Sequence, residues 1–171
     1  MATSFRIEHT FPAPVDVVLR HHMDEALHQA CNEALSSAER VLESKEERED
    51  GSVVQRFRVK ATADIPAAAR KALKPEMLEW IEESVWHPDT QRFTWEIQPY
   101  VMRDKLRAAG ELWYEPEGQE TRRIVTGTIE IRIPIAGKVA EKVIVSSLKK
   151  SYEETAVAES RYYGEKAREA S

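Results

Sequence analysis

The sequence predicts an α+β fold in which a curved antiparallel sheet of about seven strands wraps around one long C-terminal helix, with one or two short helices after the first strand. Three observations predict it. Apolar and polar residues alternate near the start and again through the middle of the chain, the period-two signature of half-buried strands. Short turns join those strands, so sequence neighbours pair as antiparallel hairpins. From Gly137 to about Arg168 a helical pattern runs unbroken. At ~1.5 Å per residue it spans roughly 45 Å, long enough to cover the inward face of such a sheet.

Each element follows in order. Phe5, Ile7, His9 and Phe11 alternate with Arg6, Glu8 and Thr10, which puts His9 on an apolar strand face. Pro12 and Pro14 stop that strand, and Pro14 suits the first position of a helical segment from Val15 to Leu35. Val18, Leu19, Leu27 and Ala30 are among its inward residues. Asp24 suits the cap of a second helix after a break near Met23, so one long helix and two short ones both fit. The charged run Glu39 to Glu49 reads as an exposed edge strand that turns at Asp50-Gly51. The returning strand carries Val53, Gln55, Phe57, Val59 and Ala61 on one face, making Gln55 a second polar residue in an apolar phase.

Pro66 to Lys74 reads as helical, and Pro75 ends it. Glu76 to Trp86 fits strand or helix until His87-Pro88-Asp89-Thr90 supplies a turn. That turn selects a hairpin, with Trp80 to Trp86 as one arm and the strand of Phe93, Trp95 and Ile97 as the other. Lys105 to Tyr114 and Arg122 to Ile135 complete the sheet around Glu117-Gly118. Val125, Ile129, Ile131 and Ile133 share a phase in the second of these. Pro134 and Gly137 then release the chain into the final helix.

At 171 residues the chain suits one domain spanning residues 1–171. Its net charge of -5 disfavours a polyanionic partner, so nucleic acid is not expected. Cys31 stands alone and forms no internal disulfide, and no cationic segment followed by an apolar run opens the chain; a reducing cytoplasm is the expected location. No stretch approaches the eighteen or so continuous apolar residues of a membrane span. Nothing in the pattern specifies an oligomeric state.

The terminal helix carries the most informative stripe. Ala140, Val143, Ile144, Ser147, Leu148, Ser151, Thr155, Ala158 and Tyr162 recur at three- and four-residue steps and share one face. That face begins aliphatic and becomes small and hydroxylated. A helix that only plugs a core carries Leu and Ile throughout, because voids forfeit transfer and dispersion energy. Small inward residues therefore predict a space filled by something other than side chains. The predicted ligand-lining set is His9, Gln55, Phe57, Trp95 and Ile129 from the strands, with Ile144, Ser147, Leu148, Ser151, Thr155 and Tyr162 from the helix. Mostly apolar walls with a few placed polar groups are what a small-molecule pocket needs. The plainer alternative is a core histidine, with hydroxyls bonded back to preceding helix carbonyls.

Catalytic and metal chemistry find little support in the pattern. His21, Glu25 and His28 have ligand-like spacing, but their face lies opposite Leu19, Ala26 and Ala30, and an exposed polar face accounts for them. HExxH, CxxC, GxSxG and phosphate-cradling Gly-rich motifs are absent from the sequence, so no cofactor, metal or catalytic residue is assigned. An acid-base enzyme would rest on His9, yet no carboxylate falls on an inward face. Glu154 comes nearest, and Lys150 one turn away makes a solvated pair the simpler reading. Met77, Leu78, Trp80, Ile81, Val85 and Trp86 form an aromatic-rich patch. It serves either transient membrane contact, with Ile65 to Pro75 as a lid over the cavity mouth, or core packing.

The passage Phe11-Pro12-Ala13-Pro14-Val15-Asp16-Val17-Val18 resembles the strand-to-helix entry of the START-like or SRPBCC superfamily. Val125-Thr126-Gly127-Thr128-Ile129-Glu130-Ile131-Arg132-Ile133-Pro134-Ile135-Ala136-Gly137, running on to Ala140-Glu141, is similar to one uncharacterised bacterial branch of it. The resemblance covers essentially the whole chain. It implies the helix-grip, birch-pollen-allergen-like fold with a cavity between sheet and terminal helix. The superfamily includes lipid and sterol carriers, polyketide cyclases, hormone receptors and cochaperones, so fold alone does not choose among them. The expectation drawn from it is non-catalytic binding or transport of a lipid or other apolar small molecule. The alternatives are a polyketide cyclase/dehydratase-like enzyme using the same cavity and a ligand-free protein-interaction module.

Overall fold

The computed structural model describes residues 2–62, 65–70 and 74–171. Strand β1 (Thr3–Phe11) leads into helices α1 (Val15–His21) and α2 (Glu25–Ala34). Strands β2 (Ala38–Glu47), β3 (Val53–Ala61), β4 (Glu79–His87), β5 (Arg92–Pro99), β6 (Leu106–Glu117) and β7 (Glu120–Ile131) follow, and helix α3 (Ala136–Ala170) closes the chain. The strands form one antiparallel sheet in the order β1-β7-β6-β5-β4-β3-β2. Pairs of consecutive strands account for five of the six pairings. The sixth joins β1 to β7, so the first strand lies beside the last at one end of the meander. This is the helix-grip architecture.

The helical segment after β1 divides in two. His22 follows α1, and its ring is buried against Trp86, Phe93 and Tyr114, with centroids 4.5, 5.3 and 5.6 Å away. Asp24 precedes α2 in extended backbone, but its side chain does not cap the helix. Its carboxylate instead accepts from the Tyr162 hydroxyl at 2.6 Å and lies 2.8 Å from His21 Nδ1, tying this corner to α3.

Glu79 to His87 forms a strand, preceded by a 3-10 turn at Pro75–Leu78. The segment expected as a helix from Pro66 to Lys74 contributes a 3-10 turn at Ala67–Ala69; residues 71–73, and with them part of the expected lid, lie outside the described residues. Met77, Trp80, Ile81 and Trp86 are buried, which places most of the aromatic-rich patch in the core rather than at an interface. β7 ends at Ile131, short of Ile135. Beyond it the Ile133 amide turns back on the Ile131 carbonyl at 3.0 Å, and Ile135 takes a φ of 68° with its side chain 96% exposed.

Two glycines shape the inner face. Phe5, Gly127, Gly110 and Trp95 stand in one row across β1, β7, β6 and β5. A Cβ at Gly127 would sit 2.4 Å from Trp95 Cζ2, and one at Gly110 2.7 Å from the same atom. The missing side chain of Gly127 is the seat of the Trp95 indole, while at Gly110 the Thr126 carbonyl, 1.9 Å from such a Cβ, leaves no room either. Helix α3 packs directly on β1 and β7 and against α1 and α2. Its first turns are fastened by Glu141, which accepts from the Ile131 amide at 2.9 Å and the Thr3 hydroxyl at 2.6 Å.

Candidate functional site

Because α3 sits over the β1–β7 end of the sheet, the inner faces of β2 to β6 face it and α2 across a cavity of about 200 Å³. Gln55, Phe57, Trp80, Glu82 and Trp95 form the sheet wall. Ile144, Ser147, Leu148, Ser151 and Thr155 form the wall from α3, and His28 and Cys31 project from α2. Tyr114, Arg123, Tyr152 and Glu159 line it as well.

Eight of the eleven residues expected at a ligand site from the sequence meet here: Gln55, Phe57, Trp95, Ile144, Ser147, Leu148, Ser151 and Thr155. His9, Ile129 and Tyr162 are not on the lining. Ile129 is fully buried among Phe5, Ala108 and Val125. His9 stands 3.3 Å from Arg123 Nη2, on the strand that α3 covers. Tyr162 is engaged with Asp24. Strand alternation selects a face, but it does not say which part of that face the helix covers.

Two of the helix hydroxyls already have partners within the protein. Ser151 Oγ lies 2.8 Å from Ser37 Oγ, and Thr155 Oγ1 donates to the Tyr152 carbonyl at 3.3 Å. Glu154 is not the solvated partner of Lys150. Its carboxylate accepts from the Ser36 amide at 2.7 Å and from the hydroxyls of Ser36 and Ser37, tying α3 to the approach to β2. Partial burial opposes its charge, but these donors prevail and hold its carboxyl down to about 2.

The charged groups of the cavity are not among the residues expected from the sequence. Arg40 Nη2 donates to Glu82 at 2.8 Å while its guanidinium lies 3.4 Å from the Phe57 ring centroid. Arg123 Nη1 donates to Glu159 at 2.5 Å, with side chains 3% and 8% exposed. For each arginine burial works against the charge, and the neighbouring glutamate more than restores it, raising the pKa. A signal for both glutamates exists in the pattern: Glu82 shares the phase of Trp80 and Ser84, and Glu159 follows Ser151 and Thr155 at four-residue steps.

His28, expected on an outward polar face, instead lines the cavity, its Nε2 3.3 Å from Gln55 Nε2. The break at His22 to Asp24 resets the helical phase, leaving Leu27 buried and Ala26 exposed. Burial, with Arg40 and Lys45 nearby, lowers the His28 pKa to about 4; burial does the same to His22. Both imidazoles are neutral at pH 7. Burial, reinforced by Glu159, pushes the Cys31 thiol up to about 12, so it is protonated and a poor nucleophile.

One antiparallel sheet, a long C-terminal helix laid across one end of it and a mostly apolar cavity between them define the helix-grip fold. Solved structures share this fold. The protein TTHA0849 from Thermus thermophilus matches with a TM-score of 0.61 and 23% identity, covering 99% of each chain. The Zhui aromatase/cyclase from Streptomyces sp. R1128 matches with a TM-score of 0.55 and 18% identity, over 100% of this chain and 97% of that one. A START superfamily protein from Mycobacterium smegmatis matches with a TM-score of 0.53 and 12% identity, over 98% and 99%. No curated protein matches the sequence. The chain belongs to the family described as "Protein of unknown function (DUF2505)", which it matches over residues 6–162.

Proposed function

We propose that this chain is a single START-like domain that binds or carries a lipid or other apolar small molecule, without catalysing its conversion, between the sheet and α3. The observation that carries this reading is the cavity itself, walled by Phe57, Trp95, Ile144 and Leu148 and kept open by small Ser147 and Ser151. Apolar burial at ~25 cal/mol per Å² supplies the binding energy, and Gln55 and Ser147 orient a polar group. A cytoplasmic carrier is consistent with the lone, protonated Cys31, and among the described residues no helix is long and apolar enough to cross a membrane. Transient membrane contact during delivery falls to the exposed Tyr100, Val101 and Ile135, because Trp80 and Trp86 are buried.

The likeness to an aromatase/cyclase favours a second reading, in which the same cavity hosts acid-base chemistry. Against it stand the arginine-bound carboxylates of Glu82 and Glu159 and the weakly basic imidazoles of His22 and His28. The cavity also speaks against a ligand-free interaction module with a filled core. Native mass spectrometry of protein purified from its own cells, followed by organic extraction, tests the carrier reading. A copurified apolar molecule in one-to-one ratio is expected; a ligand-free protein that takes up no apolar compound would refute it.

A further inference from the structure

Resting on the ligand-binding reading above, we propose that the cavity selects a compact, uncharged molecule of one or two rings, and that it rejects carboxylates. The described lining carries two arginines and two glutamates, and each arginine is matched from within: Arg40 by Glu82 at 2.8 Å and Arg123 by Glu159 at 2.5 Å. An entering carboxylate sheds its hydration and meets a guanidinium whose charge is already balanced, with a second carboxylate alongside. His22 and His28 supply no compensating cation at neutral pH, since burial holds both near 4. The wall is thus electrically closed to anions although it contains two cations.

The same wall is aromatic. Trp80, Trp95 and Phe57 all line the cavity and offer flat apolar surface to a ring. Size narrows the class further. An apolar cavity of about 150 Å³ takes up benzene, so a cavity of about 200 Å³ suits one substituted ring or a fused pair and is short for a long acyl chain.

Isothermal titration calorimetry at pH 7.5 with 2-naphthol and 2-naphthoate, matched in shape and differing in charge, tests the proposal. On the unaltered protein 2-naphthol binds about tenfold or more tighter than 2-naphthoate. The substitution Glu82→Gln, or Glu159→Gln should the first fail to fold, frees one arginine and narrows or reverses that ratio. Equal or tighter binding of 2-naphthoate to the unaltered protein overturns the charge argument, as does a ratio that neither substitution moves. Displacement of 2-naphthol by hexadecan-1-ol at comparable concentration overturns the size limit. Binding of neither naphthalene nor the alcohol fails differently, because it removes the ligand-binding reading itself and the selectivity with it.

Discussion

Replacing Glu159 with Gln leaves the Arg123 guanidinium in place and takes away the charge that holds it. Arg123 is 3% exposed, and its other neighbours are neutral: His9 Nδ1 at 3.3 Å and the rings of Phe11 and Tyr152 at 5.0 and 5.1 Å. Its Nε already lacks an acceptor among the described residues. Removing one partner of a buried pair costs about 3–5 kcal/mol, chiefly through the charge left unmatched. For a chain of this length each kcal/mol moves the midpoint by about 2–4 °C, so Tm falls by roughly 6–20 °C. Urea denaturation followed by circular dichroism gives the free energy directly. The double substitution Arg123→Met, Glu159→Met recovers most of the loss, because two well-packed apolar side chains leave no charge to match. A Glu159→Gln protein within about 1 kcal/mol of the unaltered one, or a double variant no more stable than the single, refutes this reasoning.

Three further outcomes follow from the geometry. Gly127→Ala destabilises by about 1–3 kcal/mol through overpacking against Trp95 and Phe5, and adding Trp95→Phe recovers part of that in the same denaturation assay. Glu141→Ala leaves the buried Ile131 amide unpaired, at about 1–3 kcal/mol, while the half-buried Thr3 hydroxyl turns to water, and hydrogen exchange at Ile131 accelerates. The His22 pKa near 4 lies below the ordinary value of 6.5, so the unfolded chain takes up this proton first as pH falls. The stability tied to a neutral His22 is complete above about pH 6.5 and is lost on acidification toward pH 4. At about 1.36 kcal/mol per pKa unit it is about 2–3 kcal/mol by pH 4.5, and His22→Phe removes that part of the pH dependence seen in denaturation at about pH 7 and pH 4.5.

Period-two alternation and turn chemistry made the sheet legible in the sequence: Phe5, Val53, Phe57 and Phe93 are buried on the phases that the pattern assigns them. The long stripe of α3 pointed to Ser147 and Ser151, and the structure brings both to the cavity. Inward charge was legible only as phase: Glu82 and Glu159 fall in step with cavity residues, and periodicity alone does not say that they are buried. Arg40, Glu82, Arg123 and Glu159 are mostly surface residue types, and their burial depends on partners at separations of 42 and 36 residues. Tyr162 lies on the expected stripe and still misses the cavity, because α3 runs past it to meet Asp24 at the corner of α1 and α2. The depth at which a helix crosses a sheet is a property of the packing, which periodicity does not encode.

The central claim, an apolar ligand held between the sheet and α3, is tested most directly by titrating N-phenyl-1-naphthylamine, a neutral dye, into the unaltered protein and into Ser147→Phe. Ser147 lines the cavity at a partly buried position, so a phenyl ring there occupies the ligand's space. The account predicts saturable one-to-one binding by the unaltered protein, lost in Ser147→Phe while the urea midpoint is retained. Dye binding that survives a folded Ser147→Phe, or that is missing from the unaltered protein, contradicts it.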